Sequence, residues 1–335
     1  MKIVFFEVSK TEQSFFSQSF GEAEVLFFEE KLNENSAEKA KDADIFSVFI
    51  NSIVSKDIIN LLPKLKFITT RSTGFEHIDL EYCAAKGIKV SNVPSYGSHT
   101  VAEFAFSLIL NLSRNIINAN NHLRESMDFN FYSSLQGFDL QGKTLGVIGT
   151  GRIGKNVVKI AKGFGMNVVA YDLYPDLVFA KENNFIYKSL LEVFGESDII
   201  TIHTPYTKEN YHLINKENIS KMKKGIFIIN TARGALIDTE ALIWGINEGI
   251  IAGAGLDVLE GERDLKIEKE IVCSNSSLQI DYKTIVEDQI LINMPQVIVT
   301  PHIAFYSKEA EGEIIKTTVE NVQGFISGSP VNLIK

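Results

Sequence analysis

Residues Thr144 to Asp172, TLGVIGTGRIGKNVVKIAKGFGMNVVAYD, constrain this chain more than any other stretch. Leu145–Ile148 is a short apolar run of the kind that forms a buried parallel strand, and it ends in Gly149-Thr150-Gly151-Arg152-Ile153-Gly154. An amphipathic pattern follows (Ile153, Val157, Val158, Ile160, Ala161, Phe164), then a second apolar strand, Val168–Tyr171, that stops on Asp172. The glycines answer three separate steric demands. Gly149 permits a tight turn, Gly151 lets a pyrophosphate approach the backbone, and Gly154 lets the helix pack close to the strand. The first helical amides lack partners and sit at the positive end of the helix dipole, so they face bound phosphates. Asp172 stands 18 positions beyond Gly154, where a carboxylate accepts the hydroxyls of an adenine ribose. It would repel a 2′-phosphate, and Leu173-Tyr174-Pro175 bring no cation to hold one. The stretch reads as a dinucleotide-binding βαβ unit whose cofactor is NAD.

At 335 residues the chain exceeds one compact core and predicts two domains. Its formal charge of −9, from 33 basic against 42 acidic residues and without a basic run, argues against a nucleic-acid partner. The apolar stretch in MKIVFFEVSKTEQ is too short for a signal peptide, and no run approaches a membrane span, so no membrane partner and a cytoplasmic location are expected. Cys83 and Cys273 lack metal-ligand spacing and read as free thiols in a reducing compartment. With no P-loop, H-E-x-x-H or paired C-x-x-C, no metal is expected.

The first hundred residues alternate strand and helix. Strands are expected at Lys2–Val8, Asp44–Ile50, Lys66–Thr70 and Ile88–Ser91, with helices around Thr11–Phe20, Ser36–Lys41, Lys56–Leu62 and Leu80–Lys86. That rhythm predicts a parallel sheet covered on both faces. The turns Arg71–Asp79 and Asn92–Gly97 follow its third and fourth strands, where open α/β sheets place ligands; ordinary loop chemistry explains them equally well. Thr100 and Glu103 fit a capping box opening a long helix to about Asn120, apolar almost all round and so buried, in part against another subunit.

After Asp172 the rhythm continues. Strands Asp198–Ile202, Ile226–Asn230, Ala252–Val258 and Val297–Thr300 alternate with helices Ser189–Phe194, Lys216–Met222 and Thr239–Glu248. Arg263–Asn293 is polar and irregular, with one helix at Tyr282–Ile292, and Ser307–Ser327 reads as a final helix. Polar side chains collect at strand carboxyl ends: Asp172, Thr204, Arg233, Asp257, Glu262 and His302. In a doubly wound sheet those ends share the edge along which a dinucleotide lies.

Reducing a carbonyl with a nicotinamide requires a group that holds the oxygen as charge builds on it, and a group that delivers a proton. Histidine is the natural donor, a carboxylate beside it raises its pKa, and arginine offers a planar fork of donors. Arg233, Glu262 and His302 supply one of each, with Glu260 as good a carboxylate as Glu262 by composition. His77 reads as structural, His203 as packing or cofactor contact, and His99, His122 and His212 as surface residues.

Gly149–Gly154, Asn230-Thr231-Ala232-Arg233-Gly234, Gly255–Glu262 and Thr300-Pro301-His302 together resemble the successive motifs of the D-isomer-specific 2-hydroxyacid dehydrogenases, in family order and over essentially the whole chain. Thr73–Asp79, Pro94-Ser95-Tyr96 and His302–Tyr306 look most like the D-lactate dehydrogenase branch. The resemblance implies two Rossmann-like doubly wound α/β domains. A discontinuous substrate-binding domain (1–99 and 303–335) would flank an NAD-binding domain (100–302). It implies that Arg233 binds the substrate, that His302 is the acid/base, and that Glu262 rather than Glu260 is its partner. Thr73, Gly74, Tyr96 and Phe305 would form the rest of the substrate site. Gly149, Gly151, Arg152, Ile153, Gly154, Asp172, Thr204, Pro205, Asn210, Thr231, Ala232 and Asp257 would line the cofactor, and the protein would pair as a homodimer through the NAD domain.

One departure stands out: Glu262 and His302 are 40 positions apart, longer than in most of the family, and Arg263–Asn293 would either cover the cleft or add to a subunit contact. The expected reaction is reduction of a small 2-oxo acid to the D-2-hydroxy acid, pyruvate to D-lactate in first place. 2-Oxoisocaproate, hydroxypyruvate or glyoxylate are the alternatives within the class. A formate-dehydrogenase-like activity fits less well, because that branch carries glutamine where Glu262 stands. An NAD-sensing regulator is the reading from outside enzymes, and an intact Arg233, Glu262 and His302 argues against it.

Overall fold

A computed structural model of the chain describes residues 1–262 and 281–334. The chain divides into two compact units, Met1–Gly97 with Tyr306–Lys335, and Ser98–Phe305.

The first unit is built on strands β1 (Lys2–Phe5), β2 (Glu24–Phe27), β3 (Ile45–Val48), β4 (Phe67–Thr70) and β5 (Lys89–Ser91). They form one parallel sheet in the order β2-β1-β3-β4-β5. Side chains alternate across it with the period of a strand. Val4, Phe46 and Ile68 enter one core, and Ile3, Phe5, Ile45 and Phe67 enter the other. The second core is aromatic: Phe5 stacks on Phe16 at 4.4 Å, and Phe67 on Phe325 of the C-terminal helix Lys308–Ile326 at 4.5 Å. Side-chain caps begin the helices here, from Ser9, Asn33, Ser55, Asp79 and Ser307.

Beneath the carboxyl edge of this sheet lies Arg71, 1% exposed. Its Nη2 donates to the carbonyls of Phe6 (2.7 Å) and Glu7 (2.6 Å), and its Nη1 to Ser47 Oγ (3.1 Å). Glu7, in the left-handed region at φ 54°, accepts from the Phe49 and Asn51 amides and the Ser52 hydroxyl.

The second unit holds β6 (Thr144–Ile148), β7 (Asn167–Tyr171), β8 (Ile186–Tyr187), β9 (Ile199–Ile202), β10 (Ile226–Asn230), β11 (Ile251–Leu256) and β12 (Val297–Val299). All are parallel, in the order β12-β11-β10-β9-β6-β7-β8. The chain winds outward from β6 on one side and from β9 on the other, so the switch point lies between those two strands. The register is what matters for chemistry: Ile148, Ile202, Asn230, Leu256 and Val299 pair in succession across the sheet. The residues that follow them therefore emerge along one edge. Helix Arg152–Gly163 buries Gly154, Val157, Val158 and Ala161 against this sheet. Helix Ser98–Arg114 lies beside it and reaches β11, where a Cβ on Gly255 would stand 3.0 Å from Leu108 Cβ.

Both sheets are the expected doubly wound α/β type. Several details differ from expectation. The helix after Gly97 starts at Ser98, two residues before the expected cap, so Thr100 lies inside its first turn. It ends at Arg114, where Asn115 takes φ 51° and restarts the chain as a second helix, Ile116–Ser126. The helix is not apolar all round either, since Glu103 and Ser107 face solvent. Edge strands β2 and β8 and helix Leu177–Glu182 were not legible from pattern. Of the irregular stretch Arg263–Asn293, residues 263–280 lie outside the described residues, as does Cys273; helix Tyr282–Asn293 is present. Among the described residues no helix is long and apolar enough to cross a membrane.

Candidate active site

The glycine turn after β6 is assembled at the switch point. Gly149, at φ 91°, is pressed so closely against the loop after β9 that a Cβ would stand 2.8 Å from the His203 carbonyl and the Thr204 amide. At Gly154 a Cβ would stand 2.0 Å from the Gly149 carbonyl oxygen. Gly151 differs: nothing lies within 4 Å of its Cβ position, and it begins the helix without a side-chain cap. The amides behind it are open to an anion, with Arg152 exposed and Ile153 half-buried beside them. This is the cradle a pyrophosphate needs, so these residues fit a dinucleotide.

Asp172 ends β7. Its Oδ2 accepts from the Thr150 amide (2.6 Å) and hydroxyl (2.9 Å), and its Oδ1 from the Tyr174 amide (2.8 Å). The carboxylate thus fixes the glycine turn while staying partly exposed. After β9, Thr204 and Pro205 lead into a turn closed by Asn210, which accepts the Thr207 amide at 2.7 Å and donates to the Pro205 carbonyl at 2.8 Å. His203 meets Thr201 Oγ1 at 2.8 Å, while its Nδ1 is buried without a partner among the described residues; burial pushes its pKa down to about 3, leaving the ring neutral.

The next three loops of the edge carry the candidate chemistry. Asn230, 1% exposed, accepts the Ala232 amide at 3.0 Å and donates to the Arg233 carbonyl at 2.8 Å, so it sets the Thr231–Arg233 turn. Arg233 Nη1 donates to the Ala232 carbonyl at 2.8 Å, and Thr231 Oγ1 is buried. Gly234 seats this loop on the one after β11, since a Cβ there would stand 2.0 Å from the Leu259 carbonyl oxygen.

Asp257 is 1% exposed and fully used. Its Oδ1 accepts from Thr300 Oγ1 (2.6 Å) and the Ile303 amide (2.9 Å), and its Oδ2 from the Ala304 amide (2.8 Å). Burial raises its pKa and these hydrogen bonds oppose the rise. The loop it grips holds His302 in the left-handed region at φ 57°, a conformation uncommon for non-glycine residues that histidine enters more readily than most. There His302 Nδ1 meets both carboxylate oxygens of Glu262, at 3.0 and 3.1 Å, with the two side chains 29% and 25% exposed. Phe305 is half-buried at the end of the same loop.

Glu260 is committed elsewhere. Its Oε1 faces His212 Nε2 at 2.6 Å and accepts from the Tyr211 hydroxyl at 3.1 Å; its Oε2 accepts from Thr239 Oγ1 at 3.2 Å. His212, stacked on Tyr211, is therefore not a plain surface residue. The sequence places Asn230 and Thr300 inside two of the motifs but gives neither a role of its own.

In the first unit the two flagged turns are tied together. Thr73 Oγ1 donates to the Val93 carbonyl and Asn92 Nδ2 to the Thr73 carbonyl, both at 2.8 Å. Ser72 Oγ donates to the Gly74 carbonyl at 2.6 Å. His77 Nε2 meets Thr70 Oγ1 at 3.1 Å, and burial lowers its pKa. Tyr96 is half-buried.

Residues 106–304 match the NAD binding domain of the D-isomer specific 2-hydroxyacid dehydrogenases. The chain is 38% identical over 334 residues to a D-lactate dehydrogenase of Escherichia coli (strain K12), covering 98% of each. It is 40% identical over 315 residues to an aromatic 2-oxoacid reductase of Clostridium sporogenes (strain ATCC 15579), covering 92% of this chain and 91% of the other. A crystal structure of D-lactate dehydrogenase from Aquifex aeolicus, complexed with NAD and lactic acid, superposes with a TM-score of 0.86 at 36% identity, covering 98% and 96% of the two chains. The protein belongs to the D-isomer specific 2-hydroxyacid dehydrogenase family, and is an NAD-dependent oxidoreductase.

Proposed function

We propose that the protein reduces pyruvate to D-lactate, reversibly, with His302 as acid/base. The observation that carries this is the Glu262–His302 pair at 3.0 Å on the same sheet edge as the glycine turn. When bound, NADH would supply the hydride for the carbonyl carbon. With Nδ1 turned to Glu262, the His302 Nε2 is the proton donor to the carbonyl oxygen, and Glu262 holds the ring in that orientation. Arg233 binds the substrate carboxylate and steadies the carbonyl oxygen through its planar fork. Thr73, Gly74, Tyr96 and Phe305 are the remaining substrate-binding residues of this reading. Gly149, Gly151, Arg152, Ile153 and Gly154 hold the pyrophosphate, Asp172 the adenine ribose, and Thr204, Pro205, Asn210, Thr231, Ala232 and Asp257 complete the cofactor-binding set. Asp257 serves it from behind, through the His302 loop.

D-Lactate dehydrogenases among the relatives support pyruvate. The Clostridium sporogenes reductase, at 40% identity, favours a second reading in which the acid is larger and aromatic. Steady-state rates with NADH across pyruvate, 2-oxoisocaproate, phenylpyruvate, hydroxypyruvate and glyoxylate decide between them. Pyruvate is expected to give the highest kcat/KM, and a preference for phenylpyruvate would replace the lactate assignment. We also infer a homodimer formed through the second unit, supported by exposed Ile116, Ile117, Phe129 and Phe131.

A further inference from the structure

We propose that Asp288, on the helix Tyr282–Asn293, is a positioning residue for the Glu262–His302 pair, acting through the backbone of Gly261. The inference rests on the reading that this pair moves the proton. Asp288 is 0% exposed, and its Oδ2 accepts the Gly261 amide at 2.8 Å, one residue before Glu262. The helix is pressed onto that turn: a Cβ on Gly261 would stand 2.7 Å from Asp288 Oδ2 and 3.0 Å from Thr284 Cγ2.

Stability does not account for a carboxyl at this position. Among the described residues its Oδ1 is buried with no hydrogen bond of good geometry, and only the Thr239 side chain lies close enough to favour its charged form. The charges around it are unfavourable, with Glu260 and Glu287 both adding repulsion. Glu260 is shared with His212, Tyr211 and Thr239; His212 in turn faces Asp238 at 3.7 Å, and Glu287 faces Lys283 at 3.4 Å. An apolar side chain would fill the same space at lower cost. What the carboxyl contributes is an acceptor that orients one peptide plane. With the Gly261 amide fixed, the chain enters Glu262 in a single direction, and both its oxygens reach His302 Nδ1. Asp257 holds the histidine loop in the same way from the other side.

The test compares Asp288→Asn, Asp288→Leu and His302→Gln in the full-length enzyme by kcat, KM and NADH Kd. Asn retains an oxygen for the Gly261 amide and should leave kcat within about threefold of wild type. Leu removes it and should lower kcat by about ten- to a hundredfold, the scale of a small misplacement in a reacting group, with NADH Kd unchanged. In that variant KM for the 2-oxo acid should stay within about threefold, so that the loss falls on kcat. Wild-type kcat in Asp288→Leu, or an Asn variant as impaired as Leu, would overturn the proposal. An inactive His302→Gln beside an unimpaired Asp288→Leu would overturn Asp288's role alone. A fully active His302→Gln would overturn the acid/base reading and this role with it.

Discussion

Asp288→Asn should also change how stability depends on pH, and the size of the change follows from its surroundings. Burial first, and the nearby Glu260 charge with it, lift this carboxyl from 3.8 to about 7. In the unfolded chain it ionises near 3.8, whereas in the folded protein it keeps its proton until about pH 7. Between those limits the folded state binds a proton that the unfolded state has lost, so stability falls as pH rises. The contribution of the neutral carboxyl is fully present below about pH 3.8 and is gone above about pH 7. At about 1.4 kcal/mol per pH unit, the loss at pH 8 is at most roughly 4 kcal/mol. Asparagine has no such proton to lose. Thermal melts of the two proteins should coincide near pH 4 and diverge toward pH 8, with the variant melting higher by up to roughly 8–16 °C for a domain of this size. A difference in Tm that is the same at both pH values would show that the carboxyl titrates normally. It would also remove the claim that its burial is unfavourable.

His302→Gln should lower kcat at least about a hundredfold while NADH still binds. Because residue 302 sits at φ 57°, His302→Asn, which tolerates that backbone better, should show the same loss if the imidazole is what matters. Asp172→Ala should weaken NADH binding and narrow the preference over NADPH, measured by fluorescence titration with each; an unchanged preference would refute the ribose role. Gly154→Ala, with its Cβ only 2.0 Å from the Gly149 carbonyl oxygen, should destabilise the protein by about 1–3 kcal/mol in denaturant melts. Wild-type stability would show that the helix need not approach the strand so closely.

What could be read from the sequence was whatever had a period or a spacing. β6, the glycine turn and the helix after it follow one another with fixed steric demands, and the apolar runs of β9 and β10 are buried on both faces. β2 and β8 escaped because edge strands carry weaker patterns: β2 is exposed or half-buried throughout and β8 has only two residues. The break at Asn115 escaped for another reason. Apolar periodicity runs on through Ile116 and Ile117, and only the left-handed residue between the helices ends the first one. At the candidate site, composition could not rank Glu260 against Glu262, since both are acids in one loop. The structure separates them by neighbours, His212 for one and His302 for the other. Asp288 was invisible for the same cause, because an acid in a polar helix reads as solvated until its burial is known.

The guanidinium of Arg71 has a consequence for how this protein can diversify. Three acceptors from the ends of β1 and β3 converge on it. A lysine, with a single nitrogen at the end of a flexible stem, could not span all three. The residues directly after it, Ser72 to Gly74, therefore start from an anchored origin, and their backbone has little freedom to drift. If Thr73 and Gly74 contact the substrate as proposed, new acid preferences should arise by exchanging the side chains displayed there, while insertions or deletions next to Arg71 should be selected against.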